Sequence, residues 1–233
     1  MKTIGMIGGT SWESTSHYYS ELNEGVKARL GGLHSAKLLL WSVDFAEIEE
    51  LQSQGDWARA AEIFVDIARR LEAAGADSIL IAANTMHIVA QAVAKAVSIP
   101  VLHIGDATAK AVHASNIKKV LLLGTRYTLE HPFLRNHLEQ LGLEIVIPAS
   151  EDILTVNDVI YEELCLGVVT EPSREKLLSI ILRNENKGIE GVILGCTELA
   201  MILEQQHVNL PIFDTTSIHV QYALDASLSS EGS

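Results

Sequence analysis

The most reactive group in this sequence is the thiol of Cys196, in Gly191-Val192-Ile193-Leu194-Gly195-Cys196-Thr197-Glu198. An apolar run that ends on a small residue, a cysteine and a threonine reads as a buried strand. It delivers sulfur to its C-terminal end, where a helix begins. A helix N-terminus is partly positive, so this reading favours the thiolate, the form that takes up protons. The plain alternative is a core thiol, the commonest fate of a free cysteine. Cys165, in Tyr161-Glu162-Glu163-Leu164-Cys165-Leu166, falls on a helical pattern and reads as structural. Three further stretches have the same strand-end character. Ser78-Ile79-Leu80-Ile81-Ala82-Ala83-Asn84-Thr85-Met86-His87 ends on small and polar residues but has no cysteine. Gly8-Gly9-Thr10-Ser11 lacks the third glycine of a dinucleotide fingerprint and is either a bare turn or a carboxylate cradle. Gly124-Thr125-Arg126 offers a guanidinium either to a carboxylate or to a surface ion pair. The 9 histidines show no metal-ligand spacing, and His87 and His103, at strand ends, read as structural. Glu47-Ile48-Glu49-Glu50 reads as a solvated helix face, with Gln52 just beyond it.

The elements that would position these residues alternate. Strand patterns at residues 3–7, 36–42, 78–82 and 101–104 are separated by helical patterns at 13–30, 56–74 and 86–97. The series then restarts: strands at 119–123, 144–148, 191–194 and 210–214, with helices at about 130–141, 156–167, 173–187 and 217–228 and a polar, frayed tail at 229–233. Such alternation indicates parallel sheets covered by helices. Ile7-Gly8-Gly9-Thr10-Ser11 matches Leu123-Gly124-Thr125-Arg126. Ile81-Ala82-Ala83-Asn84-Thr85 matches Ile193-Leu194-Gly195-Cys196-Thr197, and Ile99-Pro100-Val101 matches Leu210-Pro211-Ile212. Three matches in one order indicate an internal duplication. The expected architecture is α/β, with two pseudo-symmetric doubly wound domains and parallel sheets. Residues 1–112 plus about 213–233 form one half, and residues 113–212 the other. Ligands of such sheets bind at the carboxyl ends of strands, so the active site is expected in the cleft between the halves.

Composition narrows the partners. The 233 residues are 48% hydrophobic, enough for a real core. A net charge of −13 argues against nucleic acid and anionic membranes. No apolar run approaches the roughly 20 residues of a membrane helix. The glycine-interrupted start reads as a strand rather than a signal peptide. Two cysteines give no disulfide framework, so a reduced, cytoplasmic setting is expected.

Gly8-Gly9-Thr10-Ser11-Trp12-Glu13-Ser14, Gly31-Gly32-Leu33-His34-Ser35-Ala36, Ser42-Val43-Asp44-Phe45, Asn84-Thr85-Met86-His87, Gly124-Thr125-Arg126-Tyr127-Thr128 and Gly195-Cys196-Thr197-Glu198, taken together, resemble the aspartate/glutamate racemase family. The likeness is greatest to its broad amino-acid racemase branch. The resemblance implies two facing α/β domains, no pyridoxal phosphate, no metal and no other cofactor, and a homodimer. It implies two acid/base groups flanking the substrate Cα, one removing a proton and the other returning one on the opposite face. Cys196 matches the second of these. The first should stand just before Asn84-Thr85, where this chain has Ala82-Ala83, so Ala83 marks a missing base. Asn84, Thr85 and Thr197 match groups that hold the amino-acid carboxylate, and Thr10, Ser11, Thr125 and Thr128 match residues lining the cleft. Gln52 and Arg126 are further substrate-binding candidates.

The expected function is pyridoxal-phosphate-independent racemisation of a small amino acid of the aspartate/glutamate type, with Cys196 as one acid/base and activity reduced by Ala83. A cofactor-free Cα proton transfer needs close positioning and donors for the charge that develops on the carboxylate. The alternatives are a single-thiol decarboxylase resembling the arylmalonate type, or a variant that binds amino acids without turning them over.

Overall fold

The computed structural model describes residues 1–229; residues 230–233, most of the tail read as frayed, lie outside the described residues. The chain divides into two compact units, Met1–Ile104 with His219–Ser233, and Gly105–Ile218.

The first unit contains β1 (Ile4–Gly8), α1 (Trp12–Leu30), β2 (Leu38–Ser42), α2 (Phe45–Gln54), α3 (Trp57–Ala73), β3 (Ser78–Ile81), α4 (Ala90–Ala96) and β4 (Val101–Leu102). Its strands are parallel in the order β2-β1-β3-β4. One face packs on α3 through Phe64, Ile67 and Ala68; the other packs on α1 through Tyr18, Leu22 and Val26, joined by Val220, Ala223 and Leu224. β1 and β3 are buried at every position, as a sheet covered on both faces requires.

The second unit contains β5 (Lys119–Leu123), α6 (Arg126–Glu130), α7 (Phe133–Gln140), β6 (Glu144–Val146), α8 (Ser150–Asp158), α9 (Glu171–Glu185), β7 (Gly191–Leu194) and β8 (Ile212–Asp214). Its order, β6-β5-β7-β8, repeats that of the first unit position for position. Two further helices run across the unit boundaries, α5 (Ile104–Ala114) and α10 (Thr215–Leu228).

The duplication extends to single hydrogen bonds. Asp77 N–H donates to Thr3 O at 2.8 Å, and its carboxylate accepts from Thr3 N–H at 2.6 Å. Glu190 does the same for Lys119, at 2.8 and 2.9 Å. Each acid secures the start of the first strand in its own sheet.

Register also corrects the motif alignment. Ile7 pairs with Ile81, and Leu123 pairs with Leu194. Ala82 N–H donates to Ile7 O at 2.9 Å, and Gly195 N–H to Leu123 O at 2.7 Å. Ile81 therefore corresponds to Leu194 rather than Ile193, and Ala83 corresponds to Cys196. The string match was one residue out because Ala83-Asn84-Thr85 holds one residue more before its threonine than Cys196-Thr197.

Several elements differ from expectation. The helix read over 130–141 is α7, which starts only at Phe133; a separate short helix, α6, precedes it and ends at Glu130, because proline at 132 cannot donate to the preceding turn. The helix read over 156–167 is not one α-helix: α8 passes into a π-helical turn, Val159–Glu163, then a 3-10 turn, Leu164–Leu166, capped by left-handed Gly167. The helix read over 86–97 begins as a 3-10 turn, Thr85–Val89, before α4. α5 was not read from the sequence at all.

Candidate active site

Each glycine before the thiol is required by packing. A Cβ on Gly191 would lie 2.8 Å from the Phe213 ring, and one on Gly195 would lie 2.9 Å from Leu123 O. The chain can then leave β7 close against β5, and Cys196 follows in extended conformation as the cap of a five-residue 3-10 turn, Thr197–Met201. Cys196 is half-buried, and its Sγ donates to Glu198 Oε2 at 2.9 Å. Thr197 Oγ1 lies 3.1 Å from Thr216 Oγ1, and Thr215 Oγ1 donates to Leu194 O at 2.7 Å. On the neighbouring strand end, Thr125 Oγ1 accepts from Thr128 N–H at 3.3 Å and lies 3.2 Å from the Thr128 hydroxyl. The thiol-bearing strand end is thus surrounded by hydroxyl groups.

The electrostatics reverse the expected polarity of the thiol. Burial raises the Cys196 thiol well above its ordinary value, and the charge of Glu198 and its hydrogen bond to the thiol add to the rise. The favoured resting form is therefore the thiol and not the thiolate. A 3-10 turn of five residues supplies too little dipole to offset desolvation and an adjacent carboxylate. Tyr161, carried on the π-helical turn, is pushed up to about 12, first by burial and then by the charges of Cys196, Cys165, Tyr127 and Glu198. Cys165, read as structural, is exposed, and its charge also reaches Cys196.

Glu198 and Tyr161 were not singled out from the sequence. Glu198 was legible only as part of a motif, two residues beyond the sulfur. Tyr161 was hidden by the π-turn, whose residues have the same periodicity as an α-helix over so short a span. Arg126 sits at the end of β5, with its N–H on Asn157 Oδ1 at 3.1 Å and its side chain 3.7 Å from Glu130.

In the first unit the corresponding strand ends are tightly built. A Cβ on Gly9 would lie 2.2 Å from Val43 O, and the residue has φ +93. Gly9 N–H donates to Thr15 Oγ1 at 2.8 Å. Ser11 takes the rare φ of 124; its hydroxyl accepts from Ser14 N–H at 3.1 Å and donates to Glu13 at 3.0 Å, opening α1. Thr10, beside it, is half-buried. Ala82 is wholly buried, whereas Ala83 is half-buried at the position equivalent to Cys196. Asn84 is buried, and Thr85, half-buried, begins the 3-10 turn. Gln52 is buried, with Nε2 on Met86 Sδ at 3.0 Å.

His87, four residues after Ala83, is held by the backbone. Its Nε2 accepts from Ile104 N–H at 3.1 Å, so Nδ1 carries the proton and donates to Ala83 O at 2.8 Å. Both ring nitrogens are committed to the backbone.

The chain matches the family described as Asp/Glu/Hydantoin racemase over residues 7–223. It belongs to that family. A curated relative, the broad specificity amino-acid racemase RacX of Bacillus subtilis (strain 168), is 24% identical over 222 residues, which cover 92% of this chain and 93% of RacX. A crystal structure of a candidate Asp/Glu racemase from Yersinia pestis superposes with a TM-score of 0.95 at 49% identity, covering 98% of this chain and 100% of that one. An aspartate racemase homologue from Pyrococcus horikoshii OT3 gives 0.89 at 37%, with the same coverage. Arylmalonate decarboxylase shares the fold, at a TM-score of 0.54 and 13% identity over 100% of this chain and 95% of that one.

Proposed function

We propose that this racemase-family protein exchanges the Cα proton of an amino acid of the aspartate/glutamate type, without pyridoxal phosphate or metal, using Cys196 as its acid/base. The observation that carries this reading is the 2.9 Å hydrogen bond from Cys196 Sγ to Glu198. The thiol passes its proton to Glu198; the thiolate so formed takes the Cα proton, leaving an ene-diolate. Reversal of the same steps returns a proton to carbon. Glu198 keeps the thiol protonated at rest and, at hydrogen-bond distance, is placed to receive its proton as general base. In this reading Asn84, Thr85 and Thr197 hold the α-carboxylate and Thr10, Ser11, Thr125 and Thr128 line the substrate's surroundings, while Arg126 pairs with a carboxylate and Gln52 reaches the substrate side chain. The two free cysteines suit a cytoplasmic setting, where thiols stay reduced.

Ala83, equivalent to Cys196, has a methyl group that carries no proton. Exchange on the Cys196 side therefore proceeds faster than inversion. The same vacancy favours, as a second reading, a single-thiol decarboxylase, in which the thiol protonates an enolate on one face. Proton NMR in D2O separates the two. The first expects loss of the Cα proton signal from aspartate or glutamate. Carbon dioxide released from a disubstituted malonate, with no exchange in any amino acid, would replace the first by the second.

A further inference from the structure

The chain has two cysteines, and both lie in the second unit. Cys165 sits on the 3-10 turn Leu164–Leu166 and is exposed. Leu164 holds that turn down. It is 2% exposed and belongs to the core that contains Leu199 and Ile202, and Cys196 packs against the same core. The turn Leu164–Leu166 lies against the turn Thr197–Met201 that follows Cys196, with Cα atoms of the two within 8 Å of one another. The charge of Cys165 also adds to the rise of Cys196 and of Tyr161, so the two sulfurs share one electrostatic neighbourhood.

The two thiols differ in what they meet first. Cys196 is half-buried and hydrogen-bonded to Glu198, which keeps it protonated, and oxidants react with the thiolate. Cys165 faces solvent, where a free cysteine holds roughly a few per cent thiolate at neutral pH. The acid/base steps leave Cys165 unused. A disulfide spans Cα separations of about 4.4–6.8 Å, a short step from the approach of the two turns. The Cys196 end is fixed, because Gly195 N–H donates to Leu123 O at 2.7 Å and continues the β5–β7 ladder. The Cys165 end has more give: a 3-10 turn has poorer hydrogen bonds than an α-helix, and this one ends at left-handed Gly167, φ 73.

We propose that Cys165 is a peroxide-reactive thiol that closes a disulfide with Cys196 and thereby switches the site off. The Cys165 thiolate attacks one oxygen of hydrogen peroxide. The O–O bond breaks, leaving a sulfenic acid on Cys165 and a hydroxide that takes up a proton to become water. Cys196 Sγ then attacks the Cys165 sulfur. The S–S bond forms, the S–O bond breaks, and the Cys196 proton passes to Glu198 and on to the departing hydroxide, which leaves as water. Two thiols have then lost two electrons and two protons, and one peroxide has become two waters. A dithiol such as dithiothreitol reverses the change. In the disulfide Cys196 neither gives nor takes a proton, so Cα exchange stops. That last consequence rests on the reading of Cys196 as the acid/base; the crosslink does not.

The test treats the reduced full chain with hydrogen peroxide, blocks remaining thiols with N-ethylmaleimide in denaturant, and reads intact mass and unreduced peptide maps. The expected product is about 2 Da lighter than the reduced chain, takes up no maleimide and yields one linked pair of peptides carrying Cys165 and Cys196. Dithiothreitol is expected to return both thiols. Cys165→Ser should keep Cα exchange within a few-fold of the parent and lose it to peroxide at least about tenfold more slowly. In Cys196→Ser the bond cannot close, and dimedone should label the sulfenic acid on Cys165. Two maleimide-reactive thiols in the peroxide-treated parent, or oxidation of Cys196 at the same rate in the parent and in Cys165→Ser, overturns the proposal. A crosslink in a chain that shows no Cα exchange supports the thiol pairing and refutes the acid/base reading instead.

Discussion

Restoring a proton carrier at position 83 should convert exchange into racemisation. Ala83 is the register equivalent of Cys196 and is half-buried, so Ala83→Cys adds one sulfur at an open strand end. A positioned acid/base group contributes about 10²- to 10⁴-fold, which corresponds to about 2.7–5.4 kcal/mol of barrier. Racemisation in Ala83→Cys should therefore exceed that of the parent chain by at least about two orders of magnitude, while exchange catalysed from the Cys196 side stays within a few-fold. Ala82→Cys is the control. Ala82 is wholly buried in the core with Met6 and Leu80, so its thiol points into packing. It should give no gain in rate and lose about 1–3 kcal/mol of stability through overpacking. Chiral chromatography of L-aspartate and L-glutamate incubations, run beside NMR in D2O, measures inversion and exchange in the same sample. Equal racemisation in Ala83→Cys and the parent, or a gain confined to Ala82→Cys, would refute the equivalence on which the reasoning rests.

Glu198→Gln removes a negative charge 2.9 Å from the thiol, so the alkaline rise of the exchange rate should move to lower pH. Because burial and Glu198 raise the folded-state thiol, the fold keeps a proton that the unfolded chain releases near its ordinary value of about 8.5. The stability from that proton is present below about 8.5 and lost as the pH rises through the folded value; Cys196→Ala should flatten this decline in thermal melts. Gly195→Ala should cost about 1–3 kcal/mol in urea unfolding, since its Cβ would lie 2.9 Å from Leu123 O and 3.1 Å from Leu122 Cδ1. Tyr18→Phe should cost about 1–3 kcal/mol: His219 Nε2–H donates to Leu102 O at 2.6 Å, leaving Nδ1 to accept from the Tyr18 hydroxyl at 3.0 Å.

Much of the architecture was legible because parallel strands buried on both faces are continuous apolar runs. β5 and β7 could be read almost to the residue for that reason. The repeated motifs gave two matching halves, and the identical strand orders bear that out. The one-residue error in matching Ala83 to Cys196 arose because strings carry no register. Register is set by which amide meets which carbonyl, and here Ala82 and Gly195 decide it. The protonation state of Cys196 was misread for a related reason. The sequence shows a cysteine before a helical turn but not how far the turn runs, nor that Glu198 folds back onto the sulfur. The π-turn that presents Tyr161 likewise depends on backbone geometry that periodicity does not distinguish. The exposure of β2 was invisible because an apolar pentapeptide reads as interior.

The central claim is that the Cys196 sulfur moves the substrate proton. Cα deuteration of aspartate and glutamate should be compared in the parent chain and in Cys196→Ser, with circular dichroism confirming that both are folded. The account predicts deuteration by the parent and a loss of at least about a hundredfold in the variant. Deuteration that continues undiminished in folded Cys196→Ser would contradict it.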